Sequence, residues 1–472
     1  MATLTFKFGG TSMGNAAIIA SVGQIILDAV EQGHQVLTVV SAMSGVTNQL
    51  LDSARAAAEG HTAVYLKTTA DLRDRHHEAA RELVRTPEAQ EALLAELHRL
   101  VDEFQDLCRS VAILGELTNR GLDAIVSIGE RLSARLLAAH LQDRGAAALP
   151  IDATRLIVTT AAFQNATPLM DKTRARVQQH LVPLLKAGVL PIVTGYIGAT
   201  ETGITTTLGR GGSDYSGGIL AACIDADELW IWTDVDGVMT ADPRLVPSAH
   251  VIPILSYREV GELAFFGAKV LHPKTILPVM DRGMPIRVRN TFNPTHPGTL
   301  IRPEPEMTPF IAKAITIIPD VHLITVAGRG MIGVPGIAGR TFSAVAREEV
   351  NLLVISQSSS EQSFCFIVRD TDSARAVAAI KAELAAEISR QDVDRVWAQE
   401  NIEVITIVGA GMRETPGVAA RIFGVLAEEQ INVIVIAQGS SDANISLAVD
   451  SKDARRAVQA LHRLVANNGN AG

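Results

Sequence analysis

Two glycine-bearing segments, each directly behind an apolar β-rich run, carry the charges best placed to do chemistry. The first is Lys7-Phe8-Gly9-Gly10-Thr11-Ser12. Glycines bring backbone N–H groups close to an anion, and the N-terminus of the next helix favours negative charge. Lys7 at the strand end can aim its ammonium at the same group. Taken alone, this is also an ordinary strand-to-helix turn with a solvated lysine. The second is Gly209-Arg210-Gly211-Gly212-Ser213-Asp214, ahead of a helix expected over Tyr215–Cys223. Arg210 can fork onto a carboxylate, and Asp214 at the helix start could equally be a cap. Two such loops behind strands point to two anionic groups brought together in a crevice at the strand ends. No G-x-x-x-x-G-K-[ST] occurs, so this is not a P-loop protein.

Further charges follow. Trp232-Thr233-Asp234-Val235-Asp236-Gly237, continuing to Asp242-Pro243-Arg244, is an acidic strand end and turn able to hold ribose, adenine or Mg²⁺. It fails as an EF-hand, because the third acidic position and the closing glutamate are missing. In Gly267-Ala268-Lys269-Val270-Leu271-His272-Pro273, Lys269 opens a helix, where a cation opposes the macrodipole and needs an anion nearby or full solvation. His272, just before proline, reads as structural. Gly328-Arg329-Gly330-Met331-Ile332-Gly333 matches G-x-G-x-x-G, but it lacks the longer βαβ units of a dinucleotide domain, so that reading is rejected. Cys108, Cys223 and Cys365 lie far apart and no metal-ligand spacing is present. They read as reduced core residues of a cytoplasmic protein, with no protein-held metal.

The elements that must position these groups alternate. Strand patterns at Leu4–Phe8, Val36–Val40, Ala124–Ile128, Val189–Val193 and Glu228–Trp232 are separated by amphipathic helices such as Ala16–Glu31 and Arg131–Arg144. This predicts a three-layer α/β/α sandwich with a largely parallel sheet over residues 1–300. A helical insertion is expected over about 61–120. Proline-rich chemistry from Asn293 to Pro305 marks a domain boundary, with a linker expected at 301–314. Behind it lies an internal repeat at a constant offset of 81 (412 − 331), in which Met331–Val368 aligns with Met412–Val449. Pro335-Gly336 matches Pro416-Gly417, Asn351 matches Asn432, and Gln357 matches Gln438. Each copy reads strand, Pro-Gly turn, helix, strand, strand, helix, and α+β units are expected at 315–390 and 391–472. The net charge of −9 without a basic cluster argues against nucleic acid and anionic membranes as partners, and no apolar run is long enough to span a bilayer.

Together these motifs resemble the aspartate kinases of the amino acid kinase family. The resemblance rests on Lys7–Ser12, Val40-Ser41-Ala42-Met43-Ser44-Gly45-Val46-Thr47-Asn48, Gly129-Glu130-Arg131-Leu132-Ser133, Gly209–Asp214, Trp232–Gly237 and Gly267–Pro273, which appear in that family's order. The tandem repeat resembles a pair of ferredoxin-like ACT domains, as in the threonine-sensitive aspartokinase–homoserine dehydrogenases. The resemblance implies that ATP, with Mg²⁺, and L-aspartate react to 4-phospho-L-aspartate and ADP, opening the route to lysine, threonine, methionine and isoleucine.

By the same resemblance, Lys7, Asp214 and Lys269 are catalytic, and Gly9 and Gly10 cradle phosphates. Ser41, Thr47, Glu130, Arg210 and Ser213 hold the amino acid. Thr233, Asp234, Asp242, Arg244 and Lys269 hold the nucleotide. The ACT pair is expected to form a homodimer or larger homo-oligomer and to bind a feedback amino acid at Gln357 and Gln438. Gln and Ser side chains there suit threonine, with lysine as the other candidate. Lys7, Arg210, Asp214 and Lys269 occurring together argues against a catalytically silent amino-acid-binding protein. A kinase for another carboxylate or carbamate is the alternative within the family.

Overall fold

Apolar runs rich in Val, Ile and Trp, each closed by glycine or polar residues, form the strands of the N-terminal region. They are β1 (Thr3–Phe8), β2 (Gln35–Val40), β3 (Ala148–Ile151), β4 (Leu190–Thr194), β5 (Ile197–Ala199), β6 (Thr205–Thr207), β7 (Glu228–Thr233), β8 (Ile254–Ser256), β9 (Ile286–Asn290) and β10 (Thr299–Arg302). The computed structural model describes residues 1–266, 271, 273–305, 312–358, 362–412, 415–438 and 443–465. Eight of the strands make one sheet in the order β3-β4-β2-β1-β7-β9-β10-β8, while β5 and β6 form a separate antiparallel pair. Neighbours in the large sheet are parallel except β9 with β10. The expected, largely parallel α/β sheet is what forms. Strand β1 lies between β2 and β7, so the chain reverses its direction of winding beside β1, where α/β sheets open a crevice at the strand ends.

The pleat of β1 sorts its side chains. Phe6 stacks on Trp230 at 5.0 Å between ring centres, and Phe8 on Trp232 at 5.8 Å. Because side chains alternate along a strand, Thr5 and Lys7 must point to the opposite face. There the helix Gly212–Ile224 comes very close. A Cβ on Gly217 would sit 3.3 Å from Lys7 Cβ, and one on Gly218 would sit 2.5 Å from the Thr275 carbonyl oxygen of the helix Pro273–Met280. The adjacent glycines let one helix lie against both β1 and its neighbouring helix.

The inserted helices are Thr62–Leu83 and Pro87–Leu114, with Pro87 in the first turn of the second, where a missing N–H costs nothing. One expectation fails. Ala124–Ile128 is helical, divided between Asn119–Val126 and Ile128–Asp143. A short β-branched run cannot be told from a buried helix by composition alone. Here the Thr118 side chain accepts from the Gly121 amide, starting a helix, and Ile125, Val126 and Ile128 are buried in its packing.

A second compact unit contains Met239–His250, Arg258–Ala268 and Pro305–Gly472, and the remaining residues make up the first. Its strands are β11 (Ala314–Ala327), β12 (Val354–Gln357), β13 (Ser363–Arg369), β14 (Arg395–Val408), β15 (Val435–Ala437) and β16 (Asn444–Asp450), in one antiparallel sheet ordered β12-β13-β11-β14-β16-β15. β11 and β14 are each long enough to serve both repeats. Ala314–Ile318 pairs with Val404–Val408, whereas Val321–Ala327 pairs with Arg395–Ile402 and with β13. The repeats therefore exchange their fourth strands. Ala314–Ile318 completes the second half and Arg395–Gln399 the first.

Each half buries its own core beneath its helices, around Phe366 and Ile380 in one and Ile407 and Val458 in the other. The Gly328 and Gly330 of the rejected dinucleotide motif have a packing role. A Cβ on Gly328 would lie 2.1 Å from the Asp392 carbonyl oxygen, and one on Gly330 2.6 Å from Asp392 Cα. Among the described residues no helix is long and apolar enough to cross a membrane.

Candidate active site

Four neighbouring strands of the first unit, β4, β2, β1 and β7, end side by side, and the residues just past those ends converge. After β2 comes Ser41, whose amide donates to the Phe8 carbonyl at 3.1 Å. After β1 comes Gly9, whose amide donates to the Trp232 carbonyl at 3.2 Å. After β7 comes Asp234, whose carboxylate accepts from the Thr233 hydroxyl at 3.2 Å. The loop Gly209–Gly211 delivers Arg210 and the start of the helix Gly212–Ile224. It requires glycine, since Gly209 and Gly211 have φ of 77° and 73°.

A cavity of about 780 Å³ opens at this place. Of the residues singled out from sequence, Lys7, Gly9, Gly10, Ser41, Thr47, Glu130, Arg210, Ser213, Asp214, Thr233 and Asp234 all line it. Lys7 Nζ lies 2.5 Å from Asp214 Oδ1, with both side chains largely shielded from solvent. A Cβ on Gly9 would reach within 3.4 Å of the ammonium. Arg210 is exposed where it lines the cavity.

Glu130 is the electrostatic anomaly of the site. Its side chain is 2% exposed, and its Oε2 finds no hydrogen-bond partner among the described residues. Burial pushes its carboxyl up to about 8, only partly opposed by backbone amides of Glu130 and Ala42. Gly129 makes this depth possible, because a Cβ there would meet Ala42 Cβ at 2.8 Å. A buried acid with an unmet oxygen is prepared for a cation that arrives with a ligand.

Sequence reasoning passed over the lining residues Gln164 and Tyr196. Tyr196 and Gln164 have positive φ of 66° and 69°, which no residue-type signal announces. The ring of Tyr196 packs so closely on the helix start that a Cβ on Gly212 would lie 2.6 Å from it. Burial raises its phenol above the usual value, and the nearby Glu130 charge acts in the same direction. Asp242 and Arg244 do not line the cavity. They belong to the second unit, where the guanidinium forks onto the carboxylate two residues away at 3.0 and 2.6 Å. Lys269 and His272 lie outside the described residues. No group of three or more His, Cys, Asp or Glu among the described residues could hold a metal ion.

Comparison with known proteins places this geometry. The model of the amino acid kinase family matches residues 3–290, and that of the ACT domain matches 324–384 and 405–464. A bifunctional aspartokinase/homoserine dehydrogenase 1 of Zea mays is 36% identical over 97% of this chain and 50% of its own length. This chain thus spans about half of that relative. Aspartokinase 1 of Arabidopsis thaliana is 32% identical over 99% of this chain and 81% of its own. Among solved structures, aspartokinase III of E. coli with aspartate and ADP superposes with a TM-score of 0.79 at 30% identity, covering 98% of this chain and 99% of that one. The same enzyme with lysine and aspartate gives 0.78.

The Glu130 geometry yields a stability test. With its folded-state carboxyl near 8, Glu130 keeps a proton that the unfolded chain gives up above roughly 4.3. Stability contributed at this position is therefore lost as pH rises between those values and is level above 8. Glu130→Gln should raise the melting temperature of the ligand-free protein more at pH 8 than at pH 5. Equal shifts at both values would mean that Glu130 is ionised in the empty site.

Proposed function

This chain belongs to the amino acid kinase family and carries a C-terminal pair of ACT domains, and we propose that it transfers the γ-phosphoryl group of ATP to the β-carboxylate of L-aspartate. The observation that carries the reading is the shared cavity of Lys7, Glu130 and Arg210, one cation for phosphate and an acid–base pair for an amino acid. That aspartate and ADP occupy the similar E. coli enzyme supports it.

The chemistry suits the residues. A carboxylate is already a nucleophile, so no general base is required. The barrier comes from two anions approaching and from charge spreading over the phosphoryl oxygens. Lys7 supplies fixed counter-charge, held in place by Asp214, while the backbone N–H groups at Gly9 and Gly10 cradle the phosphates and Thr233 and Asp234 border the nucleotide side. Arg210 clamps an aspartate carboxylate, helped by Ser213, Ser41 and Thr47. Glu130 takes the ammonium, ionising as it does so. Lys269 completes the phosphate site. Mg²⁺ would enter with the nucleotide and supply further counter-charge to the phosphates. The expected compartment is the cytoplasm, and burial pushes the thiols of Cys108 and Cys223 up to about 12 and about 11, so that they stay protonated.

Regulation falls to the ACT pair, which we place at a dimer interface. Gln357 ends β12 and Gln438 follows β15, matching sites on the two outer strands of the sheet. Both are exposed, and both can hydrogen-bond a hydroxyl-bearing amino acid, which favours threonine as the effector.

Two measurements check these assignments. In a coupled ADP assay over aspartate, glutamate and acetylglutamate, aspartate alone should sustain turnover. Lys7→Met should lower kcat by about 10²-fold or more, and Arg210→Lys should raise KM for aspartate far more than for ATP. Near-normal turnover in Lys7→Met, or an Arg210 effect confined to ATP, contradicts the division of the pocket. Separately, threonine should inhibit the wild type, and Gln357→Ala or Gln438→Ala should weaken that inhibition. Inhibition by lysine only, or inhibition by threonine indifferent to both changes, contradicts the effector assignment.

A further inference from the structure

Asp123 does not line the cavity, yet its carboxylate holds two segments that lead into it. The residue is fully buried in the helix Asn119–Val126 and accepts four hydrogen bonds. Oδ2 takes the backbone amides of Gln164 at 3.1 Å and Thr207 at 3.0 Å. Oδ1 takes the Thr207 hydroxyl at 2.6 Å and the side-chain amide of Gln164. Burial pushes the carboxyl above the usual carboxylate range, and these donors pull it back towards the charged form.

Thr207 ends β6, and the arginine loop follows directly behind it. Gln164 lines the cavity at a φ of 69°, a costly conformation for a residue with a side chain, which the bond from its amide to Asp123 helps to hold. It packs against the arginine loop, where a Cβ on Gly209 would lie 3.0 Å from the Gln164 carbonyl oxygen.

The buried carboxylate also decides which way round the Gln164 amide stands. A carboxylate only accepts, so the amide must offer it Nε2. That leaves Oε1 without a partner among the described residues. The unpaired atom of this cavity-lining side chain is therefore an acceptor, which repels carboxylates and phosphates and suits a cation. Glu130 offers an incoming ammonium one unmet oxygen, whereas an ammonium carries three N–H donors. The Tyr196 phenol feels the charges of both Glu130 and Asp123, so both carboxyls stand near the same ring.

We propose that Gln164 contacts the substrate, its Oε1 accepting a hydrogen bond from the α-ammonium of the amino acid beside Glu130, and that Asp123 is the positioning residue that keeps this oxygen turned towards it. The proposal rests on the aspartate kinase reading of the same cavity. It contains an inversion that a single substitution exposes. In Asp123→Asn the backbone amides of Gln164 and Thr207 cannot turn round, so the remaining side-chain oxygen must stay with them. The new NH₂ group then faces the Thr207 oxygen and the Gln164 amide, and it can serve both only once that amide flips. All four hydrogen bonds survive, while the atom offered to the cavity changes from acceptor to donor.

The experiment is steady-state kinetics with aspartate and ATP, together with competitive inhibition by succinate, which has both carboxylates of aspartate and no ammonium. Turnover of aspartate by the wild type checks the reading on which the proposal rests, and the variants check the proposal itself. Gln164→Met, similar in shape but without an amide oxygen, should raise KM for aspartate about tenfold. Asp123→Asn should raise it at least as much, with a melting temperature close to that of the wild type. In both variants KM for ATP and Ki for succinate should stay near their wild-type values. The double variant should match Gln164→Met alone, because the amide that flips is gone. An unchanged aspartate KM in Gln164→Met overturns the proposal. So does a succinate Ki that rises in step with the aspartate KM, since it would mean that Gln164 serves the carboxylate clamp or the fold. Additive effects in the double variant, or an Asp123→Asn protein that melts far below the wild type, overturn the positioning role of Asp123.

Discussion

The contact between Lys7 and Asp214, 2.5 Å long, ties the end of the central strand to the start of the helix that follows the second glycine loop. Much of the first unit can be understood as what that contact requires. Lys7 must fall on the helix side of the pleat, so Phe6 and Phe8 face the aromatic side and stack on Trp230 and Trp232. The helix must come within reach of the strand, which Gly217 and Gly218 permit. Its first turn must begin from a left-handed residue, which Gly211 supplies. A lysine held this way loses little freedom when an anion arrives. Preorganisation of that kind makes an electrostatic contact useful in a transition state.

The second unit is governed by a different constraint. Two repeats share two long strands, so neither half can complete its sheet alone. The segments 239–250 and 258–268, which come between strands of the first unit in sequence, are built into this arrangement. Lys313 and Glu259 form a buried ion pair at 3.1 Å, and the Thr316 hydroxyl donates to the Phe266 carbonyl at 2.6 Å. A buried pair of this kind is costly to break from one side, which fixes the register of the helix Tyr257–Phe265 on the sheet.

Much of this was legible in the sequence because the chemistry and the turn geometry use the same residues. Glycines at positions 9, 10, 209 and 211 marked both the loops and the cavity they line. What escaped was set by long-range packing. That Ala241 and Val246, beside Asp242 and Arg244, are buried in the core of the second unit is one such feature. Ala124–Ile128 has strand composition, but a threonine cap and burial among helices decide for helix. Tyr196 and Gln164 reach the site through backbone conformations that their residue types do not disclose. The strand exchange between the repeats was hidden because each copy, read alone, looks complete.

The central claim is that a carboxylate oxygen of aspartate attacks the γ-phosphorus of ATP in the Lys7 cavity, and the fate of that oxygen tests it directly. The enzyme would be incubated with ATP and aspartate carrying ¹⁸O in its β-carboxylate, with hydroxylamine present to trap the product. Hydroxylamine attacks the acyl carbon, forming the hydroxamate and releasing phosphate that retains the bridging oxygen. The account predicts one ¹⁸O in each phosphate released with hydroxamate, read from the isotope shift in its phosphorus NMR signal. Phosphate free of label, or ADP formed without hydroxamate, would mean that water rather than aspartate is the acceptor and would contradict the account.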